Sequence, residues 1–74
     1  MIEPDRWSRL SGRERQVLDF VAANMPSMEI AVRLALSKRT IDNHCVSIVR
    51  ELGVSDRFEA ARLWQRSGER TYVL

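Results

Sequence analysis

The 74-residue sequence predicts an all-α fold made of four helices. In four successive segments the apolar residues recur at spacings of three and four, which is the period of a helix with one buried face. A small polar residue that can cap a helix stands before each segment, and Asn, Pro or Gly separates most segments from the next. Only the short tail has the pattern of a strand.

Length and composition limit what the chain can be. A chain of 74 residues is long enough for one small domain and too short for two. Its single cysteine excludes an internal disulfide and a zinc site made of several thiolates, and it suits a reducing compartment. The chain has no apolar run like that of a signal peptide or a membrane helix. We therefore expect a cytoplasmic protein with no membrane partner, no metal and no cofactor.

The net charge of the chain does not indicate what kind of partner it binds. The chain has 12 basic and 10 acidic residues, so its formal net charge is only +2. All but one of the basic residues are Arg, which stays charged and makes forked contacts with phosphate or guanine. The kind of basic residue therefore favours an anionic partner more than the net charge does.

The chain divides into three parts. Residues 1–9 are polar and predict an N-terminal arm or linker, in which Trp7 is the large aromatic side chain. Residues 10–67 carry the helical pattern and predict the folded domain. Residues 68–74 form a short C-terminal tail, which is expected to fray.

The first helix has clear signals at both ends. Ser11 as N-cap and Glu14 three residues later predict a capping box. The helix is expected to run to about Ala23, since Asn24 tolerates a left-handed conformation and Pro26 prevents continuation. We expect inward-facing side chains at Val17, Leu18 and Val21, and outward-facing ones at Arg13, Arg15 and Asp19.

The second helix is short and lies close to the third. Ser27 is predicted to cap it. Its buried residues are expected to be Ile30, Ala31 and Leu34. A connection of about three residues then leads to the third helix, at about 38–52. Two helices joined so tightly are typical of a helix-turn-helix.

The third helix has the strongest pattern in the chain. Ser37 is a good N-cap, and Gly53 stands where a helix end favours a left-handed residue. The apolar side recurs at spacings of four, three and four, at Ile41, Cys45, Ile48 and Leu52. The opposite side is mixed, with Asp42, Asn43, Val46, Ser47 and Arg50. We therefore expect this helix to rest on a small core and to present its outer face to the major groove of DNA.

The fourth helix is predicted from Asp56 and Glu59, which have the spacing of another capping box. It is expected to end near Gly68. Its apolar residues are Phe58, Ala60, Ala61, Leu63 and Trp64.

Five motifs carry a resemblance to a known family: L-S-G-R-E-R-Q-V-L, I-A-V-R-L, S-K-R-T-I-D-N-H, I-V-R-E-L-G-V and D-R-F-E-A-A. In this order they resemble the LuxR/NarL/GerE class of helix-turn-helix DNA-binding domains, over about Leu10 to Arg66. The resemblance implies a bacterial transcription regulator whose third helix enters the major groove and whose fourth helix forms a dimer. Its implied partners are double-stranded DNA, a second copy of the chain and RNA polymerase.

The resemblance also implies which residues form the sites. The candidate DNA contacts are Lys38, Arg39, Thr40, Asp42, Asn43, Val46, Ser47 and Arg50. The candidate dimer contacts are Ala60, Ala61, Leu63 and Trp64.

Each base-facing or phosphate-facing position has a structural alternative. Asn43 can read adenine through two hydrogen bonds or be an exposed residue with no contact. Asp42 can accept from cytosine N4 or only stabilise the positive end of the helix dipole. Val46 can touch a thymine methyl or flank the core, and Arg50 can bind phosphate or form an ion pair within the chain.

The sequence departs from the family at three positions that favour Lys. These positions hold Met28, Asp42 and Glu51. The two carboxylates leave the third helix with little positive charge for a groove lined by phosphates. The departures favour a second hypothesis, a protein-interaction module that keeps this fold and has lost strong DNA binding.

Two further hypotheses concern other classes of protein. A promoter-binding domain like sigma-factor region 4 has a similar helix-turn-helix, although the D-R-F-E-A motif favours the LuxR type. An enzyme is not expected, because the sequence has no catalytic triad and no glycine-rich phosphate loop. His44 and Cys45 are adjacent, diverge by about 100° on a helix and lack further ligands. We expect a partly buried ring at His44 and a small core residue at Cys45.

Overall fold

The computed structural model describes residues 7–67, and this part of the chain is all-α. A short 3-10 turn comes first and four α-helices follow: Trp7–Arg9, then α1 (Gly12–Ala22), α2 (Ser27–Leu34), α3 (Lys38–Leu52) and α4 (Arg57–Ser67). The predicted four-helix fold is confirmed. Helix α1 packs mainly against α4, and α2 packs mainly against α3. The predicted tail at 68–74 and the first six residues of the predicted arm lie outside the described residues.

The capping box at the start of α1 is present. The Ser11 hydroxyl accepts from the Glu14 amide at 3.1 Å, and the Ser11 amide donates to the Glu14 carboxylate at 2.9 Å. At the other end Asn24 takes a left-handed conformation with φ 63°. Both signals were read correctly from the sequence because each depends on neighbouring residues only.

The start of α2 differs from the prediction. Pro26 is the N-cap residue, and Ser27 is already the first residue of the helix. The Ser27 hydroxyl bonds away from the helix end, since it donates to Asp42 on α3 and accepts from Arg57. The helix ends at Leu34, and the C-cap residue Ala35 is left-handed with φ 58° although it is not a glycine.

Helix α3 has the predicted ends. The Ser37 hydroxyl accepts from the Thr40 amide at 3.0 Å. Gly53 is left-handed with φ 68°, and its amide donates to the carbonyl of Val49 at 2.9 Å. A Cβ at Gly53 would meet nothing within 4 Å, so the backbone conformation alone favours glycine there.

Only half of the predicted capping box of α4 forms. The Asp56 carboxylate accepts from the Glu59 amide at 2.8 Å. The Glu59 carboxylate reaches past Asp56 and accepts from the Ser55 amide at 2.8 Å and the Ser55 hydroxyl at 2.7 Å. These two bonds hold the pKa of Glu59 below its usual value.

The core extends to Trp7, three residues before the predicted start of the domain. Trp7 is 4% exposed, and its ring meets that of Trp64 edge-on with centroids 5.0 Å apart. Arg15 on α1 donates to the Trp7 carbonyl from Nε at 3.3 Å and from Nη2 at 3.0 Å. The folded unit therefore includes residues 7–9, which were predicted to belong to the arm.

One predicted surface residue lies in the core. Asp19 was expected to face outward, but it is 7% exposed and accepts from the indole nitrogen of Trp64 on α4. Cys45 is buried as predicted, and burial raises the pKa of its thiol. Across residues 7–67, no helix is both long and apolar enough to cross a membrane.

Candidate nucleic-acid interface

Helix α3 has a buried side and an exposed side, and the residues on each side recur at the same intervals along the sequence. Ile41, Cys45, Ile48 and Leu52 are buried. Arg39, Asn43, Val46 and Arg50 recur at spacings of four, three and four and are all exposed. Residues at this spacing share one helix face. We call these four exposed residues the outer stripe.

The outer stripe has a cation near each end and two smaller side chains between them. Arg39 and Arg50 are eleven residues apart, which is about 16 Å along a helix axis. Neither has an ion-pair partner among residues 7–67. Val46 is 53% exposed, so its methyl groups are open to contact. The stripe can thus offer an amide and methyl groups to base edges and guanidinium groups to phosphates.

The remaining predicted DNA contacts are placed differently. Ser47 lies half-buried beside the outer stripe, and Thr40 accepts a hydrogen bond from Ser37 in the N-terminal cap. Lys38 and Asp42 bind each other at 2.8 Å. The structure therefore brings four of the eight predicted residues into one open stripe. Thr40, Lys38 and Asp42 instead make hydrogen bonds or ion pairs within the chain. His44 is partly buried, as expected.

Asp42 joins three helices. Its Oδ1 accepts from the Ser27 hydroxyl on α2 at 2.9 Å and from Arg57 Nη2 on α4 at 3.2 Å. Its Oδ2 accepts from Lys38 Nζ at 2.8 Å. Arg57 Nη1 also donates to the Ser27 hydroxyl at 2.7 Å, which closes the arrangement. We call these four residues the Asp42 network.

The Asp42 network keeps the carboxylate charged. The hydrogen bonds from Lys38 and Ser27 and, less strongly, that from Arg57 outweigh partial desolvation and lower the pKa of Asp42 from 3.8 to about 2. The spacing of four residues between Lys38 and Asp42 is a sequence signal for such a pair. Ser27 and Arg57 stand 15 residues away on either side, and no local pattern points to them.

Most of the predicted dimer contacts are core residues. Ala60 and Trp64 are fully buried and Ala61 nearly so, because this side of α4 packs against the rest of the chain. They offer no surface to a second copy, which corrects that part of the prediction. Leu63 alone in the set keeps partial exposure.

An apolar surface lies beside the N-terminal end of α4. Phe58 is 58% exposed and Met28 is 60% exposed. Both line an open cavity of about 500 Å³, whose wall also contains Met25, Pro26 and Arg57. The sequence placed Phe58 on the fourth helix but did not single it out as a surface residue.

Comparison with known proteins identifies the family. Residues 8–64 match the family described as "Bacterial regulatory proteins, luxR family". The chain is 42% identical over 57 residues to the transcriptional regulatory protein UhpA of Escherichia coli and 39% identical over 59 residues to the response regulator RamR of Streptomyces coelicolor. These alignments cover 77% and 80% of the chain, but it spans only 29% of each of those proteins.

Two comparisons cover a relative at nearly full length. The chain is 35% identical over 60 residues to the spore germination protein GerE of Bacillus subtilis, an alignment that covers 81% of each chain. A solved structure of the transcription factor GerE superimposes with a TM-score of 0.75 at 32% identity, covering 84% of this chain and 92% of that one. The family is one of DNA-binding regulators and not of enzymes. The chain belongs to the luxR family of bacterial regulatory proteins.

Proposed function

We propose that this domain controls transcription by inserting α3 into the major groove of DNA, with the outer stripe against the duplex. The observation that carries the proposal is the outer stripe itself. Its four residues are exposed over the length of α3 and stand directly opposite the four residues that anchor the helix to the core. A major groove about 12 Å wide admits a helix presented in this way.

Each residue of the outer stripe has a role that fits its chemistry. The Asn43 amide matches the donor and acceptor of an adenine edge, and Val46 matches a thymine methyl. Arg39 and Arg50 bind phosphates on either side of the bases that are read. Asn43 and Val46 are three residues apart, or about 4.5 Å along the axis, so they read neighbouring base pairs.

We also propose that two copies bind together through the outer face of α4. Leu63 keeps partial exposure on this helix and is the one proposed dimer contact that does not lie in the core. A two-fold pair would place the two copies of α3 on half-sites about one helical turn apart.

A protein-interaction role remains a second candidate, and the cavity between Met28 and Phe58 favours it. The cavity has apolar and basic side chains in its wall, and one of the basic residues, Lys38, begins α3. A protein partner such as RNA polymerase would contact a regulator there. The residues of this cavity are not those of the outer stripe. The same domain could therefore bind a protein partner and DNA at once, or a protein partner alone.

Selection from random duplexes, followed by substitution of Asn43, tests the proposed function. Asn43→Ala is expected to reduce discrimination at one A·T pair of the selected site by about 1–3 kcal/mol and to leave binding to scrambled DNA unchanged. Gln16→Ala, which removes an amide from α1, is the matched control. Fluorescence anisotropy on selected and scrambled duplexes measures both affinities. If the unaltered chain selects no sequence, or if Asn43→Ala leaves base preference intact, the proposed orientation of α3 is wrong.

A further inference from the structure

The Asp42 network places a carboxylate beside the surface that the proposed function assigns to DNA. A carboxylate there repels phosphate at every sequence, so its presence requires a reason. One reason would be base reading, in which Asp42 accepts from cytosine N4. The contacts favour a different reason, because both oxygens of Asp42 are already occupied by donors from α2, α3 and α4.

The two cations of the network would otherwise be available to phosphate. The Lys38 side chain is 55% exposed in the first turn of α3, directly beside Arg39 of the outer stripe. The Arg57 side chain is 29% exposed and lies within 3.2 Å of the same carboxylate. Both groups can therefore reach solvent near the duplex once the carboxylate no longer holds them.

We propose that Asp42 limits the sequence-independent part of DNA binding by holding Lys38 and Arg57 away from the phosphates. The inference rests on the proposed function, since it assumes that α3 faces DNA. Asp42 is then a positioning residue, because it acts through two cations and touches no base. With these two cations withheld, Asn43 and Val46 determine a larger share of the binding free energy.

The dependence of affinity on salt measures this effect directly. Each phosphate contact contributes about 0.9 to the slope of log affinity against log salt. Asp42→Asn releases up to two cations, so the slope should steepen by about 1–2. Affinity in 0.1 M salt should rise about tenfold or more, by the same factor on selected and scrambled duplexes. A residue that only supports the fold would not steepen the slope when it is removed.

Glu51→Gln is the matched control for charge. It removes one carboxylate from the same helix, and Glu51 is exposed with no hydrogen bond or ion pair among residues 7–67. Any general gain from lowering the negative charge near DNA appears in this variant as well. The slope is expected to change in Asp42→Asn and to stay nearly constant in Glu51→Gln.

A second comparison needs no change at Asp42. In the otherwise unaltered chain, Lys38→Gln should change the slope little because Lys38 is already held by Asp42. Arg39→Gln, at the next residue, should lower it by about 0.9. In the Asp42→Asn background, Lys38→Gln should then lower the slope by about 0.9 as well. If Asp42→Asn does not fold, the comparison of Lys38→Gln with Arg39→Gln in the unaltered chain decides the question.

Three results would overturn the inference. One is equal slope changes for Lys38→Gln and Arg39→Gln. Another is an unchanged slope in a folded Asp42→Asn variant. The third is loss of preference at one base pair in that variant, which would make Asp42 a base reader. Failure of the proposed function looks different, because the unaltered chain would then select no sequence and Arg39→Gln would have no effect.

Discussion

Side chains on α3 divide between an exposed face and contacts within the chain. The helical period predicted that Asn43 and Arg50 lie away from the core, left Val46 open between a base contact and the flank of the core, and did not place Arg39 on this face. Asp42 lies at the edge of the same face, and its environment depends on helices that the period of α3 does not describe. Prediction by pattern therefore fails at the residue where side chains from three helices meet.

The Asp42 network predicts a dependence of stability on pH. The pKa of Asp42 is lowered to about 2 in the folded chain, against 3.8 without its partners. A lowered pKa means that the charged carboxylate stabilises the fold above about pH 4, and that this contribution is lost as the pH falls towards 2. Because the carboxylate is partly exposed and screened, we expect it to contribute about 1 kcal/mol.

Urea unfolding at a series of pH values measures this contribution. Asp42→Asn should unfold more easily than the unaltered chain at pH 6, and the difference should disappear towards pH 2. A difference in stability that is the same at both ends of the pH range would contradict the ion-pair role.

At the scale of the helices, residues near the ends decide where each helix starts and stops. Ser11, Ser37 and Gly53 act on their own neighbours, and their roles were correctly predicted. Pro26 replaces Ser27 as the cap of α2, and the Ser27 hydroxyl bonds instead to Asp42 on α3 and Arg57 on α4. The left-handed Ala35 gave no sequence signal, since alanine is not typical of that conformation.

Ala35 and Gly53 both have a left-handed backbone, and exchanging alanine and glycine at the two positions should change the stability in opposite directions. A residue with a Cβ costs about 1–2 kcal/mol when left-handed, partly offset by the greater freedom of glycine in the unfolded chain. Ala35→Gly should therefore stabilise the domain by about 0.5–1 kcal/mol. Gly53→Ala should destabilise it by about 1 kcal/mol, and the free energy of unfolding in urea measures both. Loss of stability in Ala35→Gly would contradict the account of this turn.

For the whole molecule, one small core joins the start of the described chain to its last helix. Trp7 packs against Trp64, and the Trp64 indole donates to Asp19 on α1. Periodicity correctly predicted the four helices and the buried stripe of α3. It could not place Trp7, which precedes any periodic pattern, or Asp19, which is buried because a donor on α4 meets it. The same packing removes Ala60, Ala61 and Trp64 from the surface and leaves Leu63 partly exposed.

The proposed dimer predicts a dependence on the number of half-sites. Leu63→Gln should weaken binding to a duplex with two half-sites more than binding to a duplex with one, because it removes an apolar contact between copies. The duplex with one half-site is the internal control, and a thermal melt establishes that the variant is folded. Equal losses on both duplexes would exclude Leu63 from a dimer contact.

The salt dependence of DNA binding by Arg50→Ala tests the central claim, that the outer stripe of α3 faces the duplex. Arg50 is exposed near the end of the stripe and has no ion-pair partner among the described residues. Arg66→Ala removes an equally exposed guanidinium from the last turn of α4 and is the control. If the outer stripe faces the duplex, Arg50→Ala should lower the slope of log affinity against log salt by about 0.9 on every duplex, while Arg66→Ala should leave it unchanged. An unchanged slope for Arg50→Ala would contradict the claim that this face of α3 meets DNA.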